Sequence, residues 1–183
     1  KWGTFGWFGP LSVRPDLWDK GIAKQLMGPT MDLFSRWQTT HQGLFTLAHS
    51  PKHVGLYQKF GFHARFLTAI MAKKVQPQEV ERRERVQFST FSGLASHEER
   101  ERTLRECGEL TNSIYDGLDV SEEIKAVQDL RLGDTILVRN GPRIAGFAVC
   151  HVGANTEGGT GVCYIKFAAS VDKADASAGF RGL

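Results

Sequence analysis

Residues 9–27 read GPLSVRPDLWDKGIAKQLM, and this stretch predicts a strand, a tight connection and the start of a helix. Apolar residues dominate positions 5–13, and Pro15 cannot donate a hydrogen bond within a sheet, so the strand is expected to end near Arg14. After the connection, apolar residues recur at nearly helical spacing and predict one buried helix face: Ile22, Leu26, Leu33 and Trp37. The stretch therefore predicts a strand–turn–helix unit, on which the interpretation of the whole chain depends.

The turn between the predicted strand and helix has the chemistry of an anion site. The first amides of a helix have no partner within the helix, and together with the positive end of the helix dipole they attract phosphate. Gly21 has no side chain and Ala23 has only a methyl group, so a bulky anion could approach this backbone closely. We therefore expect a phosphate group at the start of the helix.

Residues 11–15 (LSVRP) and 20–23 (KGIA) resemble motif A of the GNAT superfamily of N-acetyltransferases. In that family a central strand binds the pantetheine arm of acetyl-CoA, and the following turn wraps around the pyrophosphate. The resemblance assigns the pantetheine arm and the thioester carbonyl to backbone groups of Leu11, Ser12 and Val13. It assigns the pyrophosphate to the N–H groups of Trp18, Asp19, Lys20, Gly21, Ile22 and Ala23. It thereby implies acetyl-CoA as the cofactor.

Two residues of the turn depart from the family pattern, which has Gln or Arg, two residues, Gly, one residue, and then Gly or Ala. Gly21 and Ala23 match its last two positions, but Trp18 stands at the first, and Asp19 stands where a Gly is common. A carboxylate beside a diphosphate repels it, so we expect Asp19 to cap its own helix and to turn away from the site. If Asp19 instead fills the anion site, the domain has lost acetyl-CoA.

Residues 55–62 (GLYQKFGF) look like motif B of the same family, in which a helix with a Tyr ends at Gly-Phe. The resemblance implies that the hydroxyl of Tyr57 protonates the departing thiolate; the alternative is an aromatic residue of the core or its rim. His49 and His53 flank the predicted start of this helix and could accept the proton of the amine. The alternative for both is a histidine at a helix end or facing solvent.

The remaining elements follow from periodicity and turn residues. In the first half we predict helices at 20–38 and 50–61 and strands at 2–13, 44–49 and 66–75. In the second half we predict a strand at 86–94, helices that begin at Ser96 and Ser121, a hairpin across Asn140-Gly141 and a last strand at 162–169. The predicted buried residues of the two helices include Cys107, Ile114 and Leu130, and Cys150 and Cys163 are expected in the core of their strands.

The order of these elements predicts an α/β (α+β) fold with a mixed, mostly antiparallel sheet flanked by helices. Residues 1–76 resemble the C-terminal half of a GNAT domain, residues 77–85 read as a charged linker, and residues 86–183 resemble the N-terminal half of a second one. Either two tandem domains are represented by parts, or both halves complete one permuted sheet. Residues 171–175 lack the Gly-x-Gly or Gly-x-Ala turn, so we expect one cofactor site, in the first half.

Composition excludes several classes of function. A net charge of +3 without interleaved basic and aromatic residues gives no case for nucleic acid, and the apolar runs are far below the roughly 18 residues of a membrane span. The three cysteines have no metal-binding spacing, so we expect no metal and free thiols in a reducing cytoplasm. The chain opens at Lys1 without Met, which suggests a piece of a longer protein or its ordered part alone.

The resemblance to the GNAT superfamily implies an acetyl-CoA-dependent N-acetyltransferase, an acyltransferase that acts on the amine of a small molecule or peptide. The alternative is a non-catalytic GNAT-like module that binds acyl-CoA or serves as a scaffold. A homodimer is compatible with either function.

Overall fold

The computed structural model describes residues 1–9, 11–75 and 87–171. The chain divides into two units, of which unit 1 comprises Lys1 and Gly3–Pro77, and unit 2 comprises Trp2 and Gln78–Leu183. The described residues form a mixed α/β fold with four α-helices, a two-stranded parallel sheet and a four-stranded antiparallel sheet. The predicted linker lies outside the described residues, and the assignment of the units to halves of two GNAT domains stays a prediction.

Unit 1 alternates short strands and helices. Its elements are β1 (Phe5–Trp7), a 3₁₀ turn (Pro15–Leu17), α1 (Ile22–Arg36), β2 (His41–Gly43) and α2 (Pro51–Gln58). Strands β1 and β2 pair in parallel, with Phe5 opposite His41. Both predicted helices are therefore confirmed, with α1 and α2 each slightly shorter than expected.

The buried face of α1 differs from the predicted one. Met27 and Phe34 are fully buried, whereas Leu26 is exposed, and Ile22, Leu33 and Trp37 are only half-buried. Phe34 packs against Phe8, which also contacts Tyr57 and Phe62. The predicted buried face of α1 was therefore wrong by one position. Two adjacent rows of apolar residues run along this helix, and which row is buried depends on tertiary packing.

The predicted strands of unit 1 are mostly wrong. The first strand was predicted at 2–13 but contains only the three residues Phe5–Trp7. The strand predicted at 44–49 lies instead at His41–Gly43. Residues 66–75 form no strand, and Phe66, Leu67 and Ile70 are 76%, 89% and 93% exposed. An apolar segment becomes a strand only where a neighbouring strand satisfies its backbone groups, and no described residue does so here.

The prediction that Gly61 ends α2 in the left-handed conformation is confirmed, although the last helical residue is Gln58. Gly61 has the left-handed φ of 85° expected of a helix-ending glycine. The N–H of Gly61 donates to the carbonyl of Gln58, and the N–H of Phe62 donates to that of Tyr57. These two bonds form a Schellman motif, and its usual apolar contact is the edge-on packing of Phe62 against Tyr57.

Unit 2 has the predicted element order. It contains β3 (Gln87–Thr90), α3 (His97–Ile114), α4 (Ser121–Asp129), β4 (Gly133–Asn140), β5 (Arg143–Gly153) and β6 (Gly159–Ser170). All neighbouring strands are antiparallel in the order β3-β4-β5-β6, so the hairpin across Asn140-Gly141 is confirmed. The hydroxyl of Ser96 accepts the N–H of Glu99 at 3.1 Å and caps α3, as predicted.

Helices α3 and α4 cover one face of this sheet and form the core of unit 2. The fully or nearly buried core residues include Leu104, Cys107, Ile124, Val127, Leu137, Phe147 and Val149. Ile114 and Leu130 were expected to be buried but are exposed, since each lies at the C-terminal end of its helix. All three cysteines are free, but Cys163 is exposed and only Cys107 and Cys150 are buried.

Candidate functional site

The turn before α1 has an unusual backbone. After the 3₁₀ turn, Asp19 adopts a positive φ of 60°, and Gly21 follows with φ 76° and ψ 5°. A positive φ costs Gly little but strains a residue with a Cβ, so Gly21 fits this position and Asp19 must be held there by other contacts. Gly21 is the N-cap of α1, and the helix begins at Ile22.

The N-terminus of α1 lacks a side-chain cap. Gly21 has no side chain that could accept an amide hydrogen, and no cap hydrogen bond is formed. The first amides of the helix, from Ile22 to Lys24, therefore have no helical partner. A Cβ placed on Gly21 would meet no atom within 4 Å, so the space beside this residue is open.

Asp19 binds Lys52 and does not cap α1. Its Oδ1 lies 2.7 Å from the Nζ of Lys52, which is in the first turn of α2, and both side chains are exposed. The expectation of capping was wrong, because Gly21 is the N-cap of α1 and Asp19 lies two positions before it. Sequence reasoning missed Lys52; the only signal for it was its place just after the Ser50-Pro51 helix start.

Residues 11–13 do not form the strand that the resemblance requires. Leu11, Ser12 and Val13 have no regular secondary structure. The indole N–H of Trp18 donates to the carbonyl of Val13 at 2.8 Å, so one backbone group expected to face a pantetheine arm is already bonded. The reason is the same as for the other lost strands: no described strand pairs with this segment. Lys20, the residue after Asp19, is exposed.

Tyr57 lies on α2, as predicted, and is buried. Its ring packs edge-on against Phe8 and Phe62, with centroids 5.9 and 6.4 Å away. Burial raises the pKa of its hydroxyl above the ordinary value, so the group keeps its proton. Tyr57 lies five residues beyond Lys52, which is about 7.5 Å along the helix axis. The structure therefore connects α2 to the turn through Lys52, while Tyr57 belongs to the aromatic core of unit 1.

The two histidines near α2 have different surroundings. His53 Nδ1 lies 2.6 Å from the hydroxyl of Ser50, and this hydroxyl forms no cap bond to α2. His49 is exposed in the turn before Ser50. Their roles in proton transfer stay predictions.

Unit 2 contains a buried polar cluster that sequence reasoning missed. His151 on β5 is 3% exposed, and neither of its ring nitrogens has a hydrogen-bond partner. Its Nε2 lies 3.6 Å from Glu123 on α4, and its Nδ1 lies 3.9 Å from Glu157. Lys166 on β6 joins the two carboxylates, with its Nζ 3.1 Å from Glu123 Oε1 and 2.6 Å from Glu157 Oε1. The Trp2 indole donates to Glu123 Oε2 at 3.1 Å.

The charged side chains of this cluster stabilise one another in their charged forms. Burial by itself raises the pKa of Glu123, but hydrogen bonds from Trp2 and Lys166 and the nearby positive charge outweigh it and leave that pKa below its usual value. Burial by itself lowers the pKa of Lys166, and hydrogen bonds to Glu157 and Glu123 outweigh it, so that this pKa is raised. Both groups therefore stay charged near neutral pH. Residues on a helix, two strands and a loop contribute, so no local sequence pattern could reveal the cluster.

Comparisons with known protein families, curated proteins and solved structures found no match. Within the described ranges, no group of three or more His, Cys, Asp or Glu residues could bind a metal ion. None of the helices there is long and apolar enough to cross a membrane.

Proposed function

We propose that the chain is an acetyl-CoA-dependent N-acetyltransferase of the GNAT type with its cofactor site in unit 1. The observation that supports this most strongly is the N-terminus of α1, which has no side-chain cap and begins after the left-handed Gly21, with free space beside that residue. Free amides at a helix start, aided by the dipole, suit a diphosphate. The element order of unit 2, one strand, two helices and three antiparallel strands, also agrees with the N-terminal half of such a domain.

Different residues of unit 1 would bind the diphosphate, neutralise Asp19 and supply the proton. The amides of Ile22 and Ala23 would bind the diphosphate, and Lys52 would neutralise Asp19, whose charge would otherwise repel it. Bound acetyl-CoA supplies the activated thioester, and the acceptor is an amine of a small molecule or peptide. Tyr57, whose pKa is raised by burial, would hold the proton that the departing thiolate needs.

A second candidate function is a GNAT-like scaffold or acyl-CoA-binding module without catalysis. It is favoured by residues 11–13, which lack the strand that would bind a pantetheine arm, and by the bond between Trp18 and the Val13 carbonyl. Calorimetry separates the scaffold from the two functions that bind acyl-CoA, and the turnover assay below separates those two. We expect acetyl-CoA to bind and acetyl-pantetheine, which has no diphosphate, to bind far more weakly; absence of heat and of a thermal shift with acetyl-CoA would leave only the scaffold.

Two substitutions test the assigned residues. Lys52→Gln leaves Asp19 unpaired near the site and should weaken acetyl-CoA binding by about fivefold, close to 1 kcal/mol, whereas Asp19→Asn should not weaken it. Tyr57→Phe should retain binding and lower kcat in an assay of thiol release with polyamine and peptide acceptors. Unchanged turnover would remove Tyr57 from the mechanism, and equal binding by both charge variants would remove Lys52 from the site.

A further inference from the structure

An open groove of about 450 Å³ lies in unit 2 between α3 and the end of the β4–β5 hairpin. Its lining is almost entirely charged: Glu99, Arg102, Glu106, Arg139, Pro142 and Arg143. Three arginines and two glutamates thus line one concavity. Which charge dominates depends on how many of these groups are already paired within the protein.

Arg139 lines the groove and is held in place by other residues of the protein. A register shift between Val138 and Arg139 interrupts the β4–β5 pairing at this position, and such bulges commonly redirect a side chain. The guanidinium bonds to Glu106 Oε2 at 3.2 Å, to Thr103 Oγ1 at 2.9 Å and to the Pro142 carbonyl at 3.2 Å. Because these acceptors hold a largely buried side chain, Arg139 stays in place without a ligand.

Of the two carboxylates, Glu106 is paired with Arg139, whereas Glu99 accepts a backbone N–H and keeps its negative charge, so three arginines against two glutamates leave one net positive charge. Glu106 Oε2 accepts from Arg139 and from the N–H of Ile144, and Glu99 accepts the N–H of Ala95 ahead of α3. The two other guanidinium groups are much freer. Arg102 Nε lies 3.9 Å from Glu106 Oε1, at the outer limit of an ion pair, and Arg143 forms no ion pair within the described residues.

We propose that this groove binds an oxyanion ligand, a compact phosphate or polycarboxylate, through Arg102 and Arg143 together with Arg139. Guanidinium groups present paired N–H donors whose geometry matches phosphate and carboxylate oxygens. The volume exceeds that of a single phosphate, so a diphosphate or a tricarboxylate fits the space better than a monovalent ion. The site is independent of the acetyl-CoA site proposed for unit 1.

An NMR titration at low salt with inorganic diphosphate and, separately, with citrate tests this site. We expect saturable shifts of the Ile144 amide, next to the Glu106–Arg139 pair, with dissociation constants of about 1 mM. The amides of Ile22 and Ala23 report the unit 1 site in the same spectra, so the two sites are distinguished.

Variants of exposed arginines complete the test. Arg102→Gln and Arg143→Gln should each weaken binding by about tenfold, the effect of one lost charge-assisted hydrogen bond. The matched control is Arg105→Gln, an exposed residue of the same helix that does not line the groove and should leave binding unchanged. The proposal is overturned if neither anion gives a saturable shift up to about 20 mM. It is also overturned if the Arg105 variant loses as much affinity as the other two, because the anions would then respond only to diffuse surface charge.

Discussion

Lys166→Met is expected to destabilise unit 2 by about 2–3 kcal/mol. The substitution keeps the aliphatic length of the side chain and removes an ammonium group that lies 3.1 Å from Glu123 and 2.6 Å from Glu157. Removing one partner of a fully buried ion pair costs about 3–5 kcal/mol, whereas exposed pairs contribute at most about 1 kcal/mol. Glu123 is largely buried and Glu157 is half-exposed, so the expected cost lies between these limits.

Hydrogen exchange of the β5 amides measures this effect in unit 2 alone, and urea unfolding gives the corresponding free energy. The matched control is Lys125→Met, which removes an ion pair of 3.1 Å to Glu122 on the surface of α4. Lys125 is 41% exposed and Lys166 is 21% exposed, so the control should cost less than about 0.5 kcal/mol. If the two variants lose equal stability, the argument that burial makes the Lys166 cluster strong is refuted.

Two further predictions concern stability. Gly61→Ala should destabilise unit 1 by about 1–2 kcal/mol, because φ is 85° at this position and a side chain there is strained. Gly55→Ala should stabilise α2 by about 0.5–1 kcal/mol, because Gly55 lies inside the helix and a Cβ there meets no other atom within 4 Å. Thermal unfolding of the two variants checks these opposite signs. The lowered pKa of Glu123 contributes stability that is present above the ordinary Glu pKa and is lost as the pH falls through the native value. Unfolding measured between about pH 3 and 7 should therefore show a shallower acid loss for Glu123→Gln than for the parent chain, and identical slopes would contradict this.

The elements that the sequence predicts well are those with local causes. Ser96 caps α3, Gly61 ends α2 and Asn140-Gly141 closes a hairpin, because each depends on hydrogen bonds or φ angles within a few residues. Pro51 opens α2 for the same reason: its fixed φ suits the first turn, where its missing N–H costs nothing.

The strands of unit 1 could not be predicted in this way. Residues 66–75 are as apolar as β5, but β5 is flanked by β4 and β6, while no strand among the described residues pairs with the apolar segment. Strand formation depends on partners distant in sequence, so apolar composition alone overestimates it. The same limit applies to the face of α1, where Met27 and Phe34 rather than Leu26 are buried and Phe34 packs against Phe8.

For the candidate site, the sequence by itself determined that a helix begins close to Gly21, because that depends on local residue types; the cap that it predicted, Asp19, was wrong. Only the tertiary structure decided where the charges lie. It paired Asp19 with Lys52 across 33 positions and gathered His151, Glu123 and Lys166 from three elements. The physical reason is that electrostatic interactions depend on distance and burial in space, and a sequence specifies these only after the chain has folded.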